Sequence, residues 1–218
     1  MTKIDEKTSG SKPSGEIPEH HLPYGAGPRA AERIFETARE LFYREGIRAV
    51  GVDEIVTKAG VTKPSLYRSF KSKDDLVAAV LREVEVGFWD RFAAAEAAFP
   101  GDPKAQMVAY FEGLAARSGG ADYRGCALSN AVVEYPDRDH VGRAVSQAHK
   151  LELRDRLRAK AEQMGASDPK ALGDAMMLLI EGVFTSSQMF EDDDKPALAV
   201  VGAVKALIKV YCRAEDTA

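Results

Sequence analysis

Apolar residues recur at spacings of three and four from Arg29 to the C-terminus, and this periodicity constrains the fold more than any other feature. In the first segment Ala31, Ile34, Ala38 and Leu41 follow the pattern, with charged residues between them. Such spacing gathers apolar side chains on one face of an α-helix. Glycine and proline divide the pattern into successive segments, and no convincing alternation of apolar and polar residues indicates a strand. The sequence therefore predicts an all-α fold.

Composition and charge divide the 218 residues into three predicted parts. Residues 1–28 are rich in Pro, Gly, Ser and charged residues without a hydrophobic period, which predicts a flexible N-terminal arm. Residues 29–76 hold ten Lys or Arg against eight Asp or Glu, whereas residues 77–218 hold seventeen against twenty-two. A small basic helical domain is therefore expected to precede a larger acidic one. A local basic patch on an acidic protein favours contact with a polyanion.

Residues 51–70 are predicted to form two short helices joined by a tight turn. Gly60 is expected to end the first helix, because glycine tolerates the left-handed conformation of a C-cap. Thr62 is expected to cap the second helix through its hydroxyl. A rotation of about 100° per residue places Leu66 and Phe70 together on the inner face. This is the pattern of a helix-turn-helix, whose second helix enters the major groove of DNA.

The outward face of the second helix carries side chains that suit nucleic acid. Arg68 offers a bidentate fork to guanine, and the hydroxyl of Ser65 can donate to or accept from a base edge. Lys63, Tyr67 and Lys73 are better placed for phosphates, which fix the register rather than read the sequence. The candidate DNA contacts are Thr62, Lys63, Pro64, Ser65, Tyr67, Arg68 and Lys73. On spacing alone, a helical bundle with a solvated basic face explains this pattern equally well.

Two consecutive strings, ARELFYREGIRAVGVDEIVTK and AGVTKPSLYRSFKSKDDL, resemble the DNA-binding domain of the TetR family of bacterial transcriptional regulators. The resemblance runs from about residue 29 to residue 81. Two positions depart from the family pattern. Ser69 stands where many members have His, and Gly51 stands where Thr or Ser usually caps the second helix of the domain. The segment Arg124–His140 is similar to a C-terminal subgroup of the same family.

The resemblance implies a regulator, most often a repressor, that binds a palindromic double-stranded DNA operator as a homodimer. It also implies release from the operator by a small-molecule effector. A DNA-binding activator, or a regulator insensitive to ligand, is the alternative with the same dimer. A helical small-molecule carrier without DNA binding is an alternative of a different class.

Two C-terminal segments offer a dimer interface. Residues 175–184 (AMMLLIEGVF) are apolar nearly all round and need cover on more than one side. The predicted last helix, 197–211, keeps one polar stripe at Lys205 and Lys209, so an isolated chain would expose a large apolar patch. We therefore expect these helices to form a four-helix homodimer interface, which the resemblance also implies. The alternative is that both helices only complete the core of a monomer.

The family resemblance further implies a small-molecule pocket in the C-terminal part. Pockets of this kind are mostly apolar, with a few convergent polar groups. Core packing is the alternative for each aromatic candidate, and Glu181 is open to a ligand, a neighbouring helix or the dimer mate. The candidate ligand-binding residues are Phe88, Trp89, Phe92, Met107, Tyr110, Phe111, Asn130, Glu134, Met176, Glu181 and Phe184.

Several other classes are disfavoured by the sequence. Cys126 and Cys212 are far apart and form no CxxC, so neither a disulfide framework nor a zinc site is expected. The lack of a catalytic motif argues against an enzyme, and no cofactor or metal is expected. No apolar run reaches the ~20 residues of a membrane span, and no signal peptide is recognised. We therefore expect a cytoplasmic protein without a membrane partner.

Overall fold

The computed structural model describes residues 28–120, 122–190 and 196–213. The predicted arm at 1–28 lies outside the described residues except for Pro28. All regular structure in the described ranges is helical, which confirms the all-α prediction there, and none of these helices is long and apolar enough to cross a membrane. The elements are α1 (Pro28–Glu45), α2 (Val52–Ala59), α3 (Lys63–Ser69), α4 (Lys73–Ala98), α5 (Pro103–Ser118), α6 (Ala127–Glu134), α7 (Val141–Gln163), α8 (Pro169–Ser186), a 3-10 turn (Pro196–Ala199) and α9 (Val200–Tyr211).

The first three helices, here called the head, pack around a common core. Ile34 of α1, Ile55 of α2 and Leu66 of α3 are fully buried and belong to one hydrophobic cluster. Gly60 ends α2 with φ 62° and ψ 41°, and its amide donates to the carbonyl of Thr57. This is the left-handed C-cap that the sequence predicts. The turn sets α3 across α1, so that one face of α3 is inside and the other is outside.

The start of α3 differs from the prediction in one hydrogen bond. Thr62 is the N-cap residue, but its hydroxyl makes no bond to a backbone amide. It lies 3.0 Å from the hydroxyl of Ser65 instead. The carbonyl of Thr62 accepts from the amides of Ser65 and Leu66. The predicted side-chain cap is therefore wrong, because a second hydroxyl one turn along competes for the same group.

Helix α4 joins the head to the remaining helices, α5 to α9, here called the body. Ser72 followed by Asp75 three residues later predicts a helix cap, and α4 begins there, with the Ser72 hydroxyl accepting from the amide of Asp75 at 3.0 Å. Its first turns bury Leu76 and Leu81, and its second half buries Phe88. The same rigid element therefore contributes to the region next to the head and to the centre of the body.

Two helix ends in the body lie away from their predicted positions. The sequence pattern predicts α8 to about Phe190, but this helix ends at Ser186. The hydroxyl of Ser187 donates to the carbonyl of Val183 at 2.7 Å, and so satisfies one of the last carbonyls of the helix. The last helix begins with a 3-10 turn, and α9 itself runs from Val200.

Helices α8 and α9 have one packed side and one open side. A Cβ on Gly173 would lie 2.7 Å from the Cα of Arg158, so this glycine permits the close approach of α7 and α8. No atom of the described residues lies within 4 Å of the corresponding position on Gly182. Leu178 of α8 is 73% exposed and Val210 of α9 is 59% exposed. The described chain thus leaves an apolar outer surface on α8 and α9.

Candidate nucleic-acid interface and ligand cavity

The head presents one face of α3 to solvent. Leu66 and Phe70 are buried, as predicted. Ser69 is buried beside them, and its hydroxyl donates to the carbonyl of Ser65, so the residue that replaces the family's usual His is part of the inner face. The exposed side chains of this helix and its cap are Thr62, Lys63, Pro64, Tyr67 and Arg68.

Three polar side chains on the outer face of α3 are joined in a chain of hydrogen bonds. The Arg68 guanidinium donates to the Ser65 hydroxyl at 3.0 Å, and that hydroxyl lies 3.0 Å from the hydroxyl of Thr62. The three residues are spaced at i, i+3 and i+6, so they follow one edge of the helix. The Arg68 guanidinium is therefore held at a fixed place on the outer face, and its other N–H groups can donate to another partner.

Two of the candidate lysines are engaged with the protein. The Lys63 ammonium lies 2.6 Å from the carboxylate of Asp53, and this hydrogen bond raises the Lys63 pKa. Both partners are at least half exposed, so solvent weakens the pair and a phosphate can compete for the lysine.

Lys73 differs from its predicted role. Its ammonium donates to the carbonyl of Ile47 at 2.6 Å and lies 5.8 Å from the ring centroid of Phe42. Burial lowers the Lys73 pKa. The side chain therefore fastens α4 to the turn after α1 instead of pointing at a phosphate. Lys71, which is not among the predicted DNA contacts, is exposed in the loop before α4 and makes no ion pair within the described residues.

A cavity of about 560 Å³ lies between the head and the body. Tyr43 of α1 forms part of its wall, and α4, α5, α8 and the loop before α6 form the rest. Its volume is within the range of small-molecule sites. The residues that line it are Tyr43, Val84, Phe88, Arg91, Tyr110, Arg117, Gly120, Asp122, Tyr123, Gly125, Cys126, Ala127 and Phe184.

The predicted ligand-binding residues fall into three groups. Phe88, Tyr110 and Phe184 line the 560 Å³ cavity. Asn130 and Glu134 line a neighbouring cavity of about 500 Å³ between α1, α4 and α6. The other candidates line neither cavity, and these are Trp89, Phe92, Met107, Phe111, Met176 and Glu181.

The two acidic candidates already have partners within the chain. Glu181 lies 2.7 Å from the Lys150 ammonium and accepts from the Ser129 hydroxyl at 2.8 Å, so it faces neighbouring helices. Glu134 accepts from the backbone amide of Arg48 at 2.8 Å and so joins α6 to the turn after α1. Both carboxylates thus serve contacts between helices.

An aromatic cluster next to the cavity contains a buried histidine. The ring of His149 is inaccessible to solvent and packs edge-on against Phe88, with ring centroids 4.6 Å apart. Its nearest carboxylate oxygen, on Glu85, is 3.4 Å away, and neither ring nitrogen has a hydrogen bond in the described chain. Burial lowers the His149 pKa to about 3. The imidazole is therefore neutral at pH 7 and behaves as one more packing ring.

Tyr43 connects the head to the rim of the cavity. Its hydroxyl accepts from the amide of Arg124 at 2.7 Å and lies 3.3 Å from the carbonyl of Gly125, to which it donates. The guanidinium of Arg124 in turn donates to the carbonyl of Arg44. The loop before α6 is thus bonded to the last turn of α1, a contact between distant positions that helical periodicity does not reveal.

Comparison with known proteins agrees with this architecture. Residues 34–80 match the family model described as bacterial regulatory proteins, tetR family. Over 72 residues the chain is 33% identical to the HTH-type transcriptional regulator AcrR of Shigella flexneri. Over 57 residues it is 51% identical to the HTH-type transcriptional activator FasR of Mycolicibacterium smegmatis. These matches span 33% and 25% of this chain, and only 34% and 26% of the two relatives.

A solved structure extends the comparison beyond the head. A TetR-family transcriptional regulator from Streptomyces coelicolor superposes with a TM-score of 0.80 at 30% identity. The superposition covers 85% of this chain and 97% of that one, and so includes the body. Likeness over nearly the whole of a solved relative, together with the matched head, shows that the chain belongs to the TetR family of transcriptional regulators, a family of DNA-binding proteins rather than enzymes.

Proposed function

We propose that the protein is a homodimeric repressor that binds a palindromic operator and leaves it when a small molecule fills the 560 Å³ cavity. The observation that carries this proposal is the placement of Tyr43, which belongs to the head and also forms a wall of the cavity. We further propose a division into a DNA-binding domain at 29–76 and an effector-binding and dimerisation domain at 77–218.

The DNA contacts are assigned to the outer face of α3 and the loop after it. Arg68 reads a base edge, because its fork suits the two acceptors of guanine. Thr62 and Ser65 orient that fork through their hydroxyls. Lys63 and Lys71 bind phosphates, as does the exposed hydroxyl of Tyr67. Pro64 packs along the sugar edge of the groove.

The homodimer is assigned to the open side of α8 and α9. Leu178 and Val210 are large apolar residues that are more than half exposed, and Gly182 leaves room for a second helix. Covering such a surface is favourable in proportion to the apolar area removed from water. Two heads related by a two-fold axis then present two copies of α3 to half-sites about 34–36 Å apart.

Release is assigned to movement of the loop before α6. A ligand that fills the cavity presses on Tyr43 and on the backbone at Arg124 and Gly125, which are bonded to each other. Because α1 carries the other two helices of the head, displacement of Tyr43 changes the distance between the heads of a dimer. The ligand needs only to bind the displaced arrangement more tightly than the DNA-bound one.

Selection of bound duplexes from a random pool tests the DNA-binding part of the proposal. We expect a palindrome with a half-site spacing of about one helical turn. Arg68→Ala should weaken binding to that site by about 1–3 kcal/mol and relax the preference at one base pair of each half-site. Arg82→Ala, on an exposed position of α4, is the matched control and should bind the site normally. Recovery of unrelated sequences without symmetry would contradict the proposal.

Activation is the second candidate, because one relative that is 51% identical over 57 residues is named as an activator. The two signs of regulation use the same head and the same dimer. Transcription from a promoter that carries the selected palindrome separates them. A repressor lowers the transcript when it is bound, and an activator raises it.

A further inference from the structure

Two arginines reach the 560 Å³ cavity from neighbouring helices. Arg91 of α4 and Arg117 of α5 both line it. Each lies four residues after a glycine. A Cβ on Gly87 would lie 3.3 Å from Nη1 of Arg91, and a Cβ on Gly113 would lie 3.1 Å from Nη1 of Arg117. Long side chains on a helix lean toward its N-terminus, so each guanidinium lies over its glycine. The two Gly-x-x-x-Arg pairs thus bring two positive charges to one cavity.

Neither guanidinium is neutralised within the described chain. No ion pair or hydrogen bond engages either guanidinium there. Among the described residues that line the cavity, the one acidic side chain is Asp122, which is 85% exposed and lies 3.9 Å from Arg44. Burial, and then the like charge of Arg91, lower the pKa of Arg117. An anion placed between the two arginines would relieve this repulsion.

Two tyrosines add hydrogen-bond donors to the same cavity. Tyr110 is buried and Tyr123 is half-buried, and both line the cavity. Burial raises the pKa of both phenols far above the ordinary value, so both hydroxyls stay protonated. Neither hydroxyl is hydrogen-bonded within the described residues. The polar groups that remain free in the cavity are therefore mainly donors, which suits a ligand rich in acceptors.

The rest of the wall is apolar. Phe88 and Phe184 face the cavity from α4 and α8, with Val84 and the buried Cys126 beside them. A bound molecule therefore needs an apolar body as well as its charged group. A cation would meet two like charges, and an ion without an apolar part would leave the rings without a partner.

We propose that this cavity binds a small organic carboxylate, with its anionic group at Arg91 and Arg117 and its aromatic or aliphatic body against Phe88 and Phe184. Guanidinium forks bind carboxylates through paired, charge-assisted hydrogen bonds. The inference rests on the proposed function, because it names the chemical class of the effector. It also gives the glycine before each arginine a role, since a side chain at either glycine would require the guanidinium to shift by a few tenths of an ångström.

The test uses the full chain and three carboxylate probes, namely benzoate, cinnamate and decanoate. Each is compared with its neutral methyl ester and with the matching amine, which are benzylamine, cinnamylamine and decylamine. Binding is followed by calorimetry and by the fluorescence of Trp89, the one tryptophan of the sequence, whose ring lies 5.1 Å from that of Phe88. We expect at least one carboxylate to bind more tightly than its ester and its amine.

Substitution of the arginines then locates the site. Arg91→Gln and Arg117→Gln should each weaken binding of that carboxylate about tenfold, and the ester should be little affected. Arg82→Gln, on an exposed position of the same α4, is the matched control and should bind the carboxylate normally. The inference is overturned if every carboxylate binds no better than its amine, or if both glutamine variants keep the parental affinity.

DNA binding is measured on the same samples, so that the two proposals are judged separately. Carboxylate binding that depends on both arginines supports the inference even if the selected duplex is not released, in which case ligand-gated release is wrong. Release of the duplex by an amine, with no binding of any carboxylate, would overturn the inference and leave ligand-gated repression standing.

Discussion

Replacing Gly125 by alanine would test the close contact between the loop before α6 and α8. Gly125 has φ +71°, and a Cβ there would lie 2.5 Å from the carbonyl oxygen of Phe184 and 2.6 Å from Nε2 of Gln188. The left-handed backbone costs an alanine about 1–2 kcal/mol. Displacing the backbone carbonyl adds about 1–3 kcal/mol. We therefore expect Gly125→Ala to lower the free energy of unfolding by about 2–5 kcal/mol.

Gly165→Ala is the matched control for this substitution. Gly165 has φ +72°, almost the same as Gly125, but no atom in the described part of the chain lies within 4 Å of its Cβ position. The free energy of unfolding of the Gly165→Ala variant should therefore fall only by the cost of the left-handed backbone, about 1–2 kcal/mol. Alanine also makes the unfolded chain less flexible than glycine does. This effect on the free energy of unfolding is common to both variants and cancels when they are compared.

Urea unfolding at one protomer concentration measures both variants, since self-association makes stability depend on concentration. Gly125→Ala should also weaken the bond between Gly125 and the Tyr43 hydroxyl, and with it the coupling of ligand to DNA release. Equal losses of stability in the two variants would show that the contact with Phe184 and Gln188 adds no cost.

Three further predictions concern other parts of the molecule. Lys71→Ala should reduce the salt dependence of DNA binding by about one phosphate contact and leave the stability unchanged. Lys73→Ala should keep that salt dependence but unfold in less urea, because the Lys73 ammonium bonds to the Ile47 carbonyl. The reverse pattern would show that Lys73 belongs to the DNA interface. The pKa of His149 is lowered from 6.5 to about 3 in the folded protein, so the ring is neutral there. Between these two pH values the unfolded chain binds more protons than the folded protein. The free energy of unfolding should therefore fall as the pH drops below about 6.5, by at most about 1.4 kcal/mol per pH unit. Unfolding of His149→Leu should lack that component, and an unchanged pH profile would show that the ring is charged or exposed. Leu178→Glu should shift sedimentation toward the monomer and abolish binding to the palindrome, and a dimer that persists would place the interface elsewhere.

The ends of the helices could largely be predicted from the sequence, because residues close together in the chain determine them. Gly60 and the Ser72–Asp75 pair end and begin helices through bonds that span only a few residues. The inner position of Leu66 follows from helical periodicity, with no knowledge of the rest of the fold. Thr62 is the exception, since a neighbouring hydroxyl offered its side chain a partner other than the backbone.

The functional surfaces were less predictable, because they depend on contacts between distant residues. Nothing local indicates that Lys73 bonds to Ile47, or that Glu181 is paired with Lys150. Sequence reasoning favoured aromatic residues for the ligand site and missed Arg91 and Arg117. The glycine four residues before each arginine was a visible signal, although its meaning appears only once α4 and α5 lie side by side.

The shared position of Tyr43 has a consequence for protein engineering. A chimeric regulator made by grafting this head onto the body of another family member would carry one wall of the native cavity with it. The Tyr43 phenol would then meet a foreign loop in place of Arg124 and Gly125. Exchange of DNA specificity by such grafts should therefore succeed only when residues 122–126 are transferred with the head, because Tyr43 of the head bonds to this loop.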